Sequence, residues 1–358
     1  MIVAFGTYDA ARHPRIAVLV AGLRAHGHEV VELDRPLGFT TAERVRMLRE
    51  PWRLPLLAVR LLVCWAGLVA DAVRLRARRG APAAVVVGYL GHFDVLLARV
   101  LFPRTTLVLD HLVFAADTAT DRGARGLRVR ALGLLDRAAT GAADVVVVDT
   151  PEHLAMLRDP AKGVVVPVGA PEAWFVDGSA AALEGEPLRV VFFGLYTPLQ
   201  GAPVIGRALA IAAEAGTVLQ VTMAGTGQDL PETVELAGDA EVTWIDWVDP
   251  AELPALVATH HVCLGIFSDT PKGLRVVPNK VFQGLAAGRV VVTSDSAPQR
   301  RLLGDHLELV PPADPAALAA RLAELAEPGR YAAAAQRARA GRDAVRPAAV
   351  VGPLVERL

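Results

Sequence analysis

At 358 residues the chain is too long for one comfortable hydrophobic core and has room for two domains of ordinary size. Its 37 Lys and Arg stand against 38 Asp and Glu, a formal net charge of −1, which excludes any global attraction to nucleic acid or an acidic polymer. The two cysteines, Cys64 and Cys263, lie far apart in apolar runs, which excludes a disulfide framework and leaves no ligand spacing for a metal.

The chain opens on Met1-Ile2-Val3-Ala4-Phe5-Gly6, a strand pattern with neither the basic region nor the cleavage site of a signal peptide. Further strands are expected at Val30 to Leu33, Ala84 to Val87, Thr106 to Leu109, Asp144 to Val148 and Gly163 to Val166. Helices are expected at Ile16 to Ala25, His92 to Leu101, Leu127 to Thr140 and Glu152 to Leu157. Such alternation belongs to an α/β domain with a parallel sheet covered by helices. The longest apolar stretch, Leu54 to Leu75, is broken by Arg60, Asp71 and Arg74, which argues against a spanning helix. A soluble or peripheral protein in the cytoplasm is therefore expected.

Pro51 to Arg79 carries a second message. On a helix, Arg53, Arg60, Asp71, Arg74 and Arg78 fall in one narrow polar stripe, with Leu, Val, Trp52 and Trp65 filling most of the rest; Arg76 and Arg79 lie outside it. Two readings stand. Such a helix can rest on the anionic inner face of a membrane and meet a lipid-linked partner, or it can be a core helix whose charged stripe faces water.

A turn-rich stretch, Pro171 to Pro187, contains Asp177-Gly178-Ser179 and Glu184-Gly185-Glu186 and reads as a linker. The alternation then restarts. Strands are expected at Arg189 to Phe193, Val218 to Ala224, Glu241 to Ile245, Val262 to Ile266 and Val290 to Thr293, and helices at Pro203 to Ala215, Pro250 to Ala258, Pro278 to Ala287 and Pro315 to Leu325. The expected division is residues 1–170, a linker 171–187, residues 188–329, and final helices from 330 to 358 that return to the first domain. A cleft between the halves is the natural ligand site.

The densest chemistry lies between Thr270 and Gly288. A buried strand leads to a loop with Lys272 and Arg275, then to a helix from Pro278 whose start offers unpaired N–H groups and a positive dipole end. With Lys280, these cations suit a diphosphate held without metal. Asn279 and Gln283, four apart, share a helix face. Gly194, Thr197, Gln200 and Gly201 form a turn after one strand, and Gly225 and Thr226 another; glycine there allows close backbone approach to phosphate. The bland alternative is a solvated basic loop.

These segments carry a resemblance. Phe5-Gly6-Thr7-Tyr8-Asp9 with His13-Pro14-Arg15 and His26-Gly27-His28-Glu29-Val30, Val190 to Gly201, and Pro278-Asn279-Lys280 through Gly288-Arg289-Val290 resemble retaining glycosyltransferases of the GT-B fold, in the group that includes bacterial mannosyl- and glucosyltransferases. The resemblance implies two Rossmann-like domains whose parallel sheets face a central cleft. It also implies sugar transfer from a nucleotide-diphosphate sugar to a hydroxyl acceptor, with no metal or bound cofactor. The acceptor would be an envelope glycan, a lipid-linked sugar or a secondary metabolite. Many members carry two glutamates eight positions apart where this chain has Arg275 and Gln283, and an Arg and a Lys where it has Tyr196 or Thr197 and Gln200. Phosphate neutralisation would then fall to Lys272, Arg275 and Lys280, and the Gln283 amide could meet a ribose hydroxyl.

On the acceptor side, Asp110-His111 ends the fourth strand and supplies the candidate catalytic pair; a helix cap plus a surface histidine is the alternative. Gly6 and His92 are the acceptor-side candidates. Two other readings remain: a differently reacting relative such as a nucleotide-sugar epimerase, and a non-catalytic binding protein. A dinucleotide oxidoreductase is disfavoured, because Gly6 stands alone without a Gly-x-Gly-x-x-Gly loop.

Overall fold

Runs such as Val145 to Val148 lack polar alternation, the mark of strands buried on both faces. The computed structural model describes residues 1–10, 13–39, 52, 54–121, 123–176, 183 and 185–358. Among these, twelve strands form two six-stranded sheets, parallel throughout. Arg53 of the polar stripe, and Asp177, Gly178, Ser179 and Glu184 of the linker, lie outside the described residues.

The first sheet has β1 (Ile2–Gly6), β2 (Val30–Asp34), β3 (Ala84–Val87), β4 (Thr106–Asp110), β5 (Val145–Val148) and β6 (Gly163–Val165), in the order β2-β1-β3-β4-β5-β6. Its helices are α1 (Pro14–Ala25), α2 (Leu54–Arg79), α3 (Asp94–Leu101), α4 (Ala115–Asp121), α5 (Leu127–Ala142) and α6 (Pro151–Met156). The order reverses between β1 and β3. Loops leaving the carboxyl ends of strands at such a switch point diverge and open a crevice.

The second sheet has β7 (Leu188–Phe193), β8 (Leu219–Ala224), β9 (Val242–Ile245), β10 (Val262–Leu264), β11 (Val290–Ser294) and β12 (Glu308–Val310), in the order β12-β11-β10-β7-β8-β9. Its helices are α7 (Ala202–Glu214), α8 (Leu230–Ala237), α9 (Leu253–Ala258), α10 (Asn279–Ala286), α11 (Ala297–Leu303) and α12 (Pro315–Leu325). Here the switch point lies between β7 and β10. The loops it parts are Gly194 to Gly201 and Gly265 to Val277.

Two helices close the chain. In α13 (Pro328–Ala340), Tyr331, Ala334 and Ala335 pack into the second core. In α14 (Pro347–Val355), Val350, Val351 and Leu354 pack into the first, with Ile16, Leu19 and Leu23 of α1. The chain therefore passes between the halves twice. The two passages touch: the Ala170 N–H donates to the Val345 carbonyl at 2.9 Å.

Several elements escape the sequence pattern. None of the seven residues of α4 is buried, so it has no apolar period to read. β12 is three residues long and begins with Glu308, which accepts from Arg321 and Arg337. α8 and α11 are short and carry Pro in the first turn. The helix expected from Pro278 begins at Asn279, with Pro278 extended at ψ 153° as its cap.

Helix α2 meets the core-helix reading in part: one face is buried, and Arg60, Arg74 and Arg78 of its charged stripe are exposed. Cys64, Leu68 and Ala72 pack inward, but part of the polar stripe is tied down: Arg60 donates to the Leu37 carbonyl, and Asp71 accepts from Arg35 at 2.5 Å. The apolar residues Leu56, Val59, Leu62, Val63 and Val73 are exposed as well.

Candidate functional site

In the second half the site grows from the β7–β10 switch point. After β7 the chain turns at Gly194 and again at Gly201, which is left-handed at φ 62° and ψ 35°. A Cβ at Gly201 would overlap the backbone of Phe267 and Ser268, and one at Gly225 would overlap the Gly194 carbonyl. These glycines let three loops, after β7, β8 and β10, close on one another. Backbone bonds seal the contact: Phe267 N–H donates to the Gln200 carbonyl at 2.9 Å, and Tyr196 N–H to the Thr226 carbonyl at 3.0 Å.

Lys280 sits at the centre of this junction. Placed in the first turn of α10, it is buried, and its Nζ lies 3.6 Å from the Phe192 ring centroid and donates to Gln200 Oε1 at 2.6 Å. A Cβ on Gly194 would lie 3.2 Å from the same Nζ. Among the described residues Lys280 forms no ion pair. Burial without a counter-ion pushes its ammonium down to about 7 from an ordinary 10.5. A cation left unneutralised in an apolar site invites an anion.

The other two expected phosphate cations are engaged elsewhere. Lys272 Nζ donates to Thr118 Oγ1 at 2.7 Å, and Arg275 pairs with Asp117 at 2.6 Å and reaches Met156 Sδ at 3.0 Å. Both thus bridge to α4 of the first half, Arg275 also to α6, and the Thr150 hydroxyl adds a bond to the Arg275 carbonyl. Sequence spacing put the three cations in one loop; the fold divides them between a buried site and an interface. Asn279 and Gln283 share a helix face, yet Asn279 is exposed while Gln283 is 8 % exposed. No hydrogen bond of the Gln283 side chain occurs among the described residues. Thr197 is half-buried ahead of the turn through Pro198–Gln200.

In the first half, Asp110 and His111 face different surroundings. Successive residues leaving a strand point to opposite sides. Asp110 turns into the interior, where Oδ1 accepts from Arg15 at 3.1 Å, and Arg15 also donates to the carbonyls of Val166 and Pro167. Burial raises the Asp110 carboxyl above its usual range against the pull of Arg15. Its other oxygen, Oδ2, is buried and has no hydrogen-bond partner among the described residues.

His111 is no surface histidine. It is 1 % exposed, both ring nitrogens lack a hydrogen-bond partner, and burial with repulsion from His92 holds its imidazole well below its ordinary value. Its ring lies 5.1 Å from that of His92 and 4.5 Å from that of Phe114, which in turn is 5.2 Å from His153. This row crosses the carboxyl ends of β3, β4 and β5. A cavity of about 590 Å3 opens beside His111, lined also by Phe114, Asp136, Arg137, Met156 and Arg158.

Asp136 of α5 organises the row, and sequence reasoning missed it. Its Oδ1 accepts from His92 Nε2 at 3.0 Å and from the Ala115 N–H at 2.9 Å, while Oδ2 accepts from the Ala116 N–H at 3.1 Å. Ligand atoms of His92, His111 and Asp136 lie within 4.8 Å of one another, a spacing a divalent ion could bridge. The carboxylate, however, already caps α4 and holds His92. Nothing local in the sequence announces this role, since Asp136 stands 44 positions from His92.

Gly6, at the end of β1, is followed by Thr7, whose N–H and hydroxyl both donate to Asp94 Oδ2, at 2.7 and 2.8 Å. The other Asp94 oxygen accepts from the Trp65 indole at 2.8 Å. The loop at Gly6 is thereby fastened through Asp94 to α2.

Residues 187–328 match the family model of glycosyl transferases group 1. Over these residues the second half is similar to a glycosyltransferase domain. Among curated proteins none matches the chain by sequence. Solved structures share the fold across both halves. HepE of Anabaena in complex with UDP-glucose superposes with a TM-score of 0.65 at 12 % identity, covering 99 % of this chain and 98 % of that one. The trehalose 6-phosphate synthase of Burkholderia multivorans gives 0.60 at 15 %, covering 99 % and 95 %. The sucrose-phosphate synthase of Thermosynechococcus elongatus gives 0.60 at 17 %, covering 83 % and 78 %. The architecture is thus the GT-B arrangement of two Rossmann-like domains.

Proposed function

We propose that the protein is a retaining, metal-independent glycosyltransferase that moves a sugar from a nucleotide-diphosphate sugar to an acceptor hydroxyl. Residues 188–329 would bind the donor and residues 1–170 the acceptor. The observation that carries this reading is Lys280, a buried ammonium without a carboxylate partner, set where three glycine-bearing loops meet. A diphosphate at this point replaces Gln200 as its partner or joins it, and the start of α10 adds unpaired N–H groups. Gln283, one turn further on, offers its amide to a ribose hydroxyl.

In the transfer, the bond from the anomeric carbon to the diphosphate breaks while the acceptor oxygen bonds to that carbon from the same face. The acceptor proton leaves with the diphosphate. His111, neutral, without a hydrogen-bond partner and 3.9 Å from Asp136, is suited to hydrogen-bond a sugar hydroxyl beside the reacting carbon. Such a role needs no change in its charge. That the structural neighbours include a complex with UDP-glucose supports a nucleoside diphosphate donor.

Release of nucleoside diphosphate from a panel of nucleotide-sugars, with and without EDTA, tests the reading, because slow donor hydrolysis needs no known acceptor. Turnover with at least one donor, insensitive to EDTA, is expected. Nucleotide binding with no turnover on any donor would favour a non-catalytic relative instead; the absence of family-type acids at Arg275 and Gln283 is what keeps that reading in play.

A further inference from the structure

Helix α2 has two apolar sides and only one of them is used. Cys64, Leu68 and Ala72 face the first core with Trp65 beside them. On the opposite side Leu56, Val59, Leu62, Val63 and Val73 are 57 % to 61 % exposed, and at helical spacing they line one stripe about a third of the circumference wide. Trp52, just before the helix, is 74 % exposed. Among the described residues α2 is the one helix long and apolar enough to cross a membrane, yet 17 % of its most apolar window is buried. Its packing on the core, and the Trp65 bond to Asp94, hold it on the domain surface.

Charge borders the stripe along one edge. Arg60, Arg74 and Arg78 fall beside Leu56 and Val63 on the helical wheel, and the helix as a whole carries five arginines against one aspartate. The half of α2 nearest Trp52 also lies at the cleft end of the domain: Arg60 bonds the loop after β2, and Trp65 reaches the Thr7 loop through Asp94. An apolar stripe rimmed by exposed arginines matches the layering of an anionic bilayer, acyl chains beneath phosphate headgroups.

We propose that α2 docks the protein on an anionic lipid bilayer, with Leu56, Val59, Leu62 and Val63 entering the interface and the arginine edge meeting headgroups. Docked so, the crevice at Gly6 and Thr7 opens beside the membrane. Resting on the transfer reaction proposed above, the acceptor is then a sugar or hydroxyl carried on a lipid.

Sedimentation with vesicles tests the docking, using phosphatidylcholine alone and phosphatidylcholine mixed with phosphatidylglycerol. The full chain is expected to pellet with the mixed vesicles and to be stripped by salt, with a blue shift in tryptophan fluorescence. Val59→Glu with Val63→Glu should weaken partitioning about tenfold or more, and Arg74→Glu with Arg78→Glu should remove the preference for phosphatidylglycerol. The exposed sites make unchanged thermal unfolding the expected control; should a variant unfold, the salt and fluorescence responses of the unaltered chain decide. Pelleting with neither vesicle overturns the proposal. So does a concentration-dependent dimer in solution that the paired Glu variant abolishes, because a second copy would then cover the stripe. Nucleoside diphosphate binding by the same samples is read separately: its loss with docking intact would sink the transferase reading alone.

Discussion

Helix α10 buries Lys280 and Gln283, while α2 leaves Leu56, Val59, Leu62 and Val63 in solvent. The two depart from ordinary partitioning in opposite directions, and the costs differ in kind. An unpaired buried ammonium is expensive at a single point. Exposed aliphatic side chains cost little singly and matter only as a contiguous patch. Correspondingly, α10 points to one small anion and α2 to an extended surface. Under the proposals made above, each of these departures is where a partner would complete the chain.

The sharpest way to break this contrast is Lys280→Met, which keeps the length of the side chain and removes the charge. Nucleoside diphosphate affinity by calorimetry should fall about 100-fold or more, while the protein becomes more stable by about 1–3 kcal/mol in thermal unfolding. A variant that loses stability and keeps affinity would make Lys280 an ordinary core residue. Next, His111→Ala should lower turnover roughly 10- to 100-fold with little change in donor affinity. Equal turnover would remove His111 from the site.

Titration gives a third handle. Because folding lowers the Lys280 value to about 7 from 10.5, the unfolded chain holds the extra proton between those pH values. The buried-charge penalty is complete below about pH 7, and stability gained from this group rises with pH across the window. Diphosphate affinity should run the other way, level below about pH 7 and weakening above it. Calorimetry across this range checks both signs, and a pH-independent affinity would mean that the anion sits elsewhere.

A smaller effect is expected at the interface. Asp117→Asn removes the partner of Arg275, whose pair is partly exposed, and should cost less than about 1 kcal/mol of stability. Because it frees Arg275, any rise in diphosphate affinity would show that this cation is shared between interface and donor. The smallest expected effect is that of EDTA, which should leave turnover unchanged. Inhibition reversed by one added metal would transfer the chemistry from α10 to His92, His111 and Asp136.

The fold was legible because parallel strands covered by helices write themselves as short β-branched and aliphatic runs, and eleven of the described strands lie where such runs occur. β12 and α4 were not, since a three-residue strand and a helix with no buried face leave no period. At the site, Gly194, Gln200, Gly201 and Lys280 were recoverable from the order of strand, glycine turn and helix start. Three-dimensional distribution was not. Sequence proximity grouped Lys272 and Arg275 with Lys280, although the partners that claim the first two, Thr118 and Asp117, stand more than 150 positions away. Asp136 stayed hidden for the same reason, as did the bond of Asp110 to Arg15, 95 positions away.

The double passage of the chain between the halves has a mechanical meaning. Residues near Ala170 and Val345 run side by side and share a hydrogen bond, and Arg346 rests over the Phe175 ring at 4.1 Å. One tether would leave the halves free to swivel in any direction. Two tethers bound together act as an axle: they permit opening and closing about a single line and resist twisting or sliding across it. Each return to contact then brings Arg275 back to Asp117 and Lys272 back to Thr118, so register across the cleft is kept by the chain path itself.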